Sequence, residues 1–214
     1  GSGFLWIVMS NAPKIVRLSP SGETKEISLP GGAAGIGKGP DGALWFTERE
    51  GDRIGRITTA GDLTEYPLPA NSAPSDMVAG PDGALWFAEF GSAGIGRITT
   101  SGQVSHFGPF PWVQSLTFGP DGAVWMTGLL GQFYRRSLDG SVSTYSGLEY
   151  YGDPRAILTG PDGALWITDH DSAVSALYRV TLDGGVTKYP TPTRIAQPWD
   201  LEIGPDGALW FTER

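Results

Sequence analysis

Histidine is the side chain whose ordinary pKa best suits proton transfer near neutrality, and this sequence contains two, His106 and His170. His106 falls in the short alternating segment Val104-Ser105-His106-Phe107, which reads as an outer strand and makes it a surface residue. His170 stands between Asp169 and Asp171 and is the one candidate base. Its flanking carboxylates favour the cationic imidazole and oppose that role, so a solvent-exposed loop residue is the reading to beat. No Ser-His-Asp arrangement, phosphate-cradling glycine loop or His-metal spacing appears. Cysteine is absent, which removes thiol nucleophiles and thiolate zinc sites.

Two further sets of residues could bind. Carboxylates stand three residues after a recurring tryptophan at Glu48, Glu89, Asp169 and Glu213, with Gly128 at the corresponding place in the third copy. Gathered at one mouth, such acids would favour protonation or hold Mg or Ca weakly through oxygen ligands; dispersed, they are solvated loop caps. No cofactor is required by the sequence. The second set is Trp112, Tyr150, Tyr151, Arg155 and Trp199. Aromatics beside charged groups suit a concave site for a small amphipathic or cyclic ligand, with ordinary loop packing as the alternative.

The elements that must position these groups are set by a repeat. Gly-Pro-Asp-Gly begins at Gly39, Gly80, Gly119, Gly160 and Gly204, at spacings of 41, 39, 41 and 44 residues. Each copy runs into Ala-Leu-Trp or Ala-Val-Trp, which puts Trp45, Trp86, Trp125, Trp166 and Trp210 in register, with Trp6 as a sixth. Four short strands per period, separated by glycine turns and without a helical apolar stripe, predict an all-β chain, a β-propeller of four-stranded antiparallel blades with five as the expected number. Blades fall near 4–30, 33–69, 73–110, 113–147 and 154–192, with closing strands over 197–214, in one domain over 4–214. Gly1-Ser2-Gly3 reads as a cloning scar.

An apolar residue three before the first glycine marks strand one, at Ile36, Met77, Leu116, Ile157 and Leu201; strand two carries the tryptophan; strand three carries Arg17, Arg56, Arg97, Arg135 and Arg179. Features present in every blade belong to the scaffold, so the arginines read as blade-edge partners and the tryptophans as packing. Residues that break the repeat gather on the face opposite the Gly-Pro-Asp-Gly turns, among them Asp153, Arg155, His170 and Trp199.

At Gly-Pro-Asp-Gly-Ala-Leu-Trp-Phe-Thr-Glu (39–48) and Ile-Gly-Arg-Ile-Thr (54–58) the chain resembles the virginiamycin B (streptogramin) lyase family. The resemblance covers every repeat and is closest over 33–69 and 73–110. It implies a seven-bladed propeller, about two blades more than are present. It also implies opening of a cyclic depsipeptide antibiotic by elimination, with a histidine base and a magnesium ion held by glutamates. The family's histidine follows the strand-one proline, five residues before the Gly-Pro-Asp-Gly glycine. Here those positions are Ala34, Ser75, Gln114, Arg155 and Trp199.

The net charge of −8 with only 15 Lys and Arg excludes the basic footprint of a nucleic-acid binder. No apolar run reaches the roughly 18 residues of a membrane span. The chain reads as soluble, with its compartment open. The sequence thus favours a non-catalytic propeller serving as a scaffold or ligand-binding module, truncated or engineered from a lyase. The alternatives are a carbon-oxygen lyase using His170 and a divalent metal, and an open fragment that self-assembles as a homo-oligomer. The last follows from the strand inventory, in which strand two occurs six times and every other strand five.

Overall fold

The computed structural model describes residues 3–9, 12–149, 152–171, 175–193 and 195–214. Every regular element among them is a strand. The chain forms two compact units, residues 1–92 with 96–107, and 93–95 with 108–214.

The first unit contains a three-stranded sheet of β1 (Leu5–Val8), β2 (Lys14–Leu18) and β3 (Thr24–Ser28). Two four-stranded blades follow. One is β4 (Ala33–Lys38), β5 (Leu44–Glu48), β6 (Arg53–Ile57) and β7 (Leu63–Pro67); the other is β8 (Pro74–Ala79), β9 (Ala84–Glu89), β10 (Gly94–Thr99) and β11 (Val104–Phe107). The second unit holds a blade of β12 (Leu116–Phe118), β13 (Val124–Thr127), β14 (Gln132–Arg136) and β15 (Val142–Ser146). Next come β16 (Pro154–Thr159), β17 (Leu165–Asp169), β18 (Ala176–Val180) and β19 (Val186–Pro190), and then a two-stranded sheet of β20 (Leu201–Ile203) and β21 (Leu209–Phe211). The expected all-β propeller architecture is present, as four complete four-stranded antiparallel blades flanked by one of three strands and one of two.

The Gly-Pro-Asp-Gly turn does more than reverse the chain. Its last glycine takes positive φ, 77° at Gly42, which an L side chain resists. Its aspartate reaches forward: Asp41 Oδ1 accepts the indole N–H of Trp45 at 3.0 Å, while Oδ2 accepts Nε of Arg56 at 2.7 Å. The same clamp recurs at Asp82–Trp86–Arg97, Asp121–Trp125–Arg135 and Asp162–Trp166–Arg179. Burial, the largest single influence on Asp41, pushes its carboxyl upward, yet the hydrogen bonds from Trp45 and Arg56 hold it below the usual range. A strand-four aromatic lies against each tryptophan, stacked for Tyr66 on Trp45, Phe107 on Trp86 and Tyr145 on Trp125, and tilted for Tyr189 on Trp166.

Between strands two and three the blades fill one volume in opposite ways. In the first unit Phe46 faces Gly55, where a Cβ would lie 1.9 Å from the ring, and a Cβ on Gly96 would lie 2.0 Å from Phe87. In the second unit Met126 faces Tyr134 and Ile167 faces Tyr178. The large group has moved from strand two to strand three, and all these partners other than the glycines are buried side chains. Strand one is bulged near its start, with register shifts between Ala33 and Ile36, Pro74 and Met77, and Pro154 and Ile157. A strand-two threonine caps two of these bulges: Thr47 Oγ1 accepts the N–H of Gly35 at 2.8 Å, and Thr168 Oγ1 that of Ala156 at 3.0 Å. Such bulges re-aim side chains.

Candidate functional site

The bulge of β16 presents Arg155 at one of the positions where the family resemblance expects the histidine. Its guanidinium Nη1 donates to Gln114 Oε1 at 2.8 Å, and Nη2 donates to Asp153 Oδ2; Gln114 Nε2 in turn donates to Asp153 Oδ1 at 3.3 Å. The guanidinium carbon lies 4.7 Å from the ring centroid of Trp199, within cation–π range, and that of Arg214 lies 4.4 Å from the same ring. Three of the five histidine-equivalent positions, Gln114, Arg155 and Trp199, therefore meet in one cluster within the second unit.

His170 joins them. Its ring meets Trp199 edge-on, with centroids 5.0 Å apart. Nδ1 lies 3.4 Å from Asp153 Oδ2, and Nε2 is buried with no hydrogen-bond partner among the described residues. The expectation of a solvent-exposed histidine is corrected: its side chain is only 17% exposed, because Trp199 and the 152–155 segment cover it. An aspartate on one ring nitrogen and an unengaged second nitrogen is the arrangement a general base uses.

Asp169 builds the floor of this cluster. Fully buried at the end of β17, it accepts the backbone N–H of Asp153 at 2.8 Å and of Asp171 at 3.1 Å through Oδ1, while Oδ2 has no hydrogen-bond partner among the described residues. Burial raises its carboxyl, the two backbone N–H groups oppose that, and the Asp171 and Asp153 carboxylates add to the rise. Gly152 is required beside it, since a Cβ there would fall 2.2 Å from Asp169 Oδ2. Burial first, and then the Asp169 charge, push the Tyr178 hydroxyl upward.

The other acids are built differently. Glu48 is fully buried, its Oε2 3.9 Å from Arg53, which is also 3.7 Å from Glu65. Burial and then the Glu65 carboxylate raise Glu48 to about 6, against the pull of Arg53. Glu89 is 2% exposed and both its oxygens lie 3.0 Å from His106 Nδ1. His106 is thus the partner of a buried carboxylate rather than an idle surface residue. The signal was in the sequence, because His106 stands one period of 41 residues after Glu65. The solvated-cap reading fails for Glu48, Glu89 and Asp169, and holds for the exposed Glu213.

Within each unit no three of the described His, Asp and Glu side chains gather as a metal site. Glu48 lies 3.9 Å from Arg53, Glu89 pairs with His106, and Asp169 accepts two backbone N–H groups through Oδ1. Trp112 is 49% exposed with a φ of 62°, two residues before Gln114. Tyr150 and Tyr151 lie outside the described residues. Arg214, whose guanidinium also lies over the Trp199 ring, carried no sequence signal. Among the described residues no helix is long and apolar enough to cross a membrane.

Comparison with known proteins places these features in a lineage. The model of the virginiamycin B lyase family matches residues 1–111 and 111–214. A streptogramin B lyase structure is 34% identical with a TM-score of 0.91, the match covering 100% of this chain and 74% of that one. Virginiamycin B lyase from Staphylococcus aureus is 32% identical with a TM-score of 0.93, over 99% and 74%. A catalytically inactive histidine-to-alanine variant of that lyase, solved with quinupristin, is 34% identical with a TM-score of 0.92, over 100% and 74%. A comparison with curated proteins gives no match. Family model and structures agree over the whole length, and the chain belongs to the virginiamycin B lyase family.

Proposed function

We propose that this chain is a ligand-binding propeller module that holds a small amphipathic or cyclic ligand against Trp199 and Arg155 without cleaving it. One observation carries the reading: three of the five histidine-equivalent positions are filled by Gln114, Arg155 and Trp199, which are tied to one another, and the other two by Ala34 and Ser75. Amide, guanidinium and indole can bind and stack, but none removes a proton at neutral pH. Trp199 keeps 37% of its surface exposed for a ligand face. Quinupristin, present in the relative's structure, is the natural probe. Calorimetry should show binding that weakens at least about tenfold in Trp199→Ala, the scale of losing a buried aromatic contact. Added magnesium should leave the affinity unchanged. Absence of binding at millimolar probe would defeat the reading for this ligand class.

A second reading rests on the Asp153–His170 pair. Its unengaged Nε2 could take the proton from the carbon next to the one that bears the ester oxygen, so that a carbon-carbon double bond forms as the carbon-oxygen bond breaks and the carboxylate leaves, opening the ring. Mass spectrometry decides. Linear product that disappears in His170→Ala, with binding retained, would establish a lyase; intact probe after long incubation would support the binding module.

A further inference from the structure

Two loops of the Trp199–Arg155 site hold large apolar side chains where the backbone favours small or polar ones. Ile195 has a φ of 63° and Trp112 a φ of 62°, a left-handed backbone in which a β-branched or aromatic residue is strained. Their side chains nevertheless reach solvent, at 57% and 49% exposed. Ile195 stands four residues before Trp199, and Trp112 two before Gln114. The first unit adopts the same conformation at the same offsets from Ser75, and there it uses Asn71, at 65°, and Ala73, at 45°. In the second unit Gln197 takes the position two before Trp199, also at 45°. The turn itself therefore needs neither an isoleucine nor a tryptophan. Anchoring of the two loops falls to their neighbours Phe110, Val113 and Ala196, which are buried.

We infer that Ile195 and Trp112 form an apolar rim that grips the apolar side groups of the ligand bound at Trp199 and Arg155 and so sets which ligands bind; the inference rests on the ligand-binding reading above. Position supports it. Two residues of chain reach about 7 Å at most and four about 14 Å, so both side chains start within the breadth of a cyclic ligand of Gln114 and Trp199. Those two residues meet through Arg155. Polarity supports it as well. Gln114 is engaged with Arg155 and Asp153, and the two terminal nitrogens of Arg155 with Gln114 and Asp153, which leaves apolar contact as the means of discrimination. The strain and the site also go together: around Ser75, where no such cluster is built, the same left-handed positions carry no large apolar group. A strained residue that its own turn does not require is held for a contact outside the folded chain.

Calorimetry with quinupristin and thermal melts, both on the full chain, test the rim. Ile195→Asn, which copies Asn71, should raise Tm by about 2–4 °C, the scale of relieving one left-handed β-branched residue in a chain of this size. The same variant should weaken quinupristin binding at least about fivefold, the loss of one apolar contact. Trp112→Ala, which copies Ala73, should weaken it to a similar degree, and Trp112→Phe should restore it to within about twofold of the parent. Leu182→Asn, which changes an exposed apolar residue at the opposite end of its blade, should leave the affinity unchanged. A fall in Tm for Ile195→Asn would make that residue part of the fold and overturn the inference. Unchanged affinity in both Ile195→Asn and Trp112→Ala, with Trp199→Ala still weakened, would overturn the rim and leave the Trp199 site standing. No binding of quinupristin by the parent chain would defeat the site and the rim with it.

Discussion

Two blades built on the same plan, β4–β7 in the first unit and β16–β19 in the second, differ where function is concerned. Both place a buried acid at the end of strand two, a glycine beside it and a bulge at the start of strand one. In the first, the bulge bears Ala34 and Gly35, and Glu48 faces Arg53 and Glu65 without a hydrogen bond to its oxygens among the described residues. In the second, the side chain is one methylene shorter. Asp169 turns back onto the backbone of Asp153 and Asp171, and so fixes a loop that carries Arg155 and His170. The buried acid is thus common to both blades, and only in the second does it hold the loop that carries the site.

The largest test of this contrast concerns the volume swap. Gly55→Tyr, which copies Tyr178 into the first unit, should cost about 3 kcal/mol in urea unfolding because Phe46 still fills the space. Adding Phe46→Ile should recover about 1–2 kcal/mol of it as a coupling energy between facing residues. Independent additive losses would show that the two packings are not interchangeable solutions.

Next comes the glycine beside the acid. Gly152→Ala should cost about 2 kcal/mol through a clash with a buried carboxylate, and should abolish probe binding at Trp199 and Arg155. The matching Gly31→Ala, whose Cβ would stand 3.4 Å from Glu48 Oε2, an ordinary contact, should cost less than about 0.5 kcal/mol. Similar losses at both positions would mean that the second blade has no special loop.

Glu48 gives a pH signature. Its carboxyl is raised from 4.5 to about 6 in the fold, so the native state binds the proton more tightly than the unfolded chain. The penalty of the charged form is absent below about pH 4.5, grows between 4.5 and 6, and is complete above. Glu48→Gln should accordingly gain up to about 2 kcal/mol relative to the parent at pH 7.5 compared with pH 4.5, as the shift implies through proton linkage. Asp169→Asn should gain in the same direction, since burial also raises the Asp169 carboxyl, with the two backbone N–H groups on its Oδ1 opposing the effect. Thermal melts across this range would show it.

The smallest effect concerns what the blades share. Asp41→Asn and Asp121→Asn should each cost about 1.5 kcal/mol, the lower end for a hydrogen bond to a charged group, in either unit alike. A marked difference between them would mean that the clamp also serves the site.

The blade plan was legible because turn glycines and tryptophans recur at one period, and such chemistry is local. Strand assignment and the face on which Arg155, His170 and Trp199 gather could be read from offset alone, whereas the strand-one bulges could not. What could not be read is depth. Glu48 and Glu213 end identical decapeptides, yet the first is buried and the second exposed, because among the described residues the first has a third and fourth strand beside it and the second does not. The pairing of His106 with Glu89 and the approach of Arg214 to Trp199 depend in the same way on partners distant in sequence.

The aspartate clamp has a consequence for how such chains change over generations. Its three members, such as Asp41, Trp45 and Arg56, lie within 15 residues of one another and inside a single blade. A segment of one period copied or deleted whole carries its own fastening with it. Gene duplication can therefore lengthen or shorten the array without first remodelling a neighbour, and substitutions in a spare copy can accumulate at the bulge while its turn remains secured.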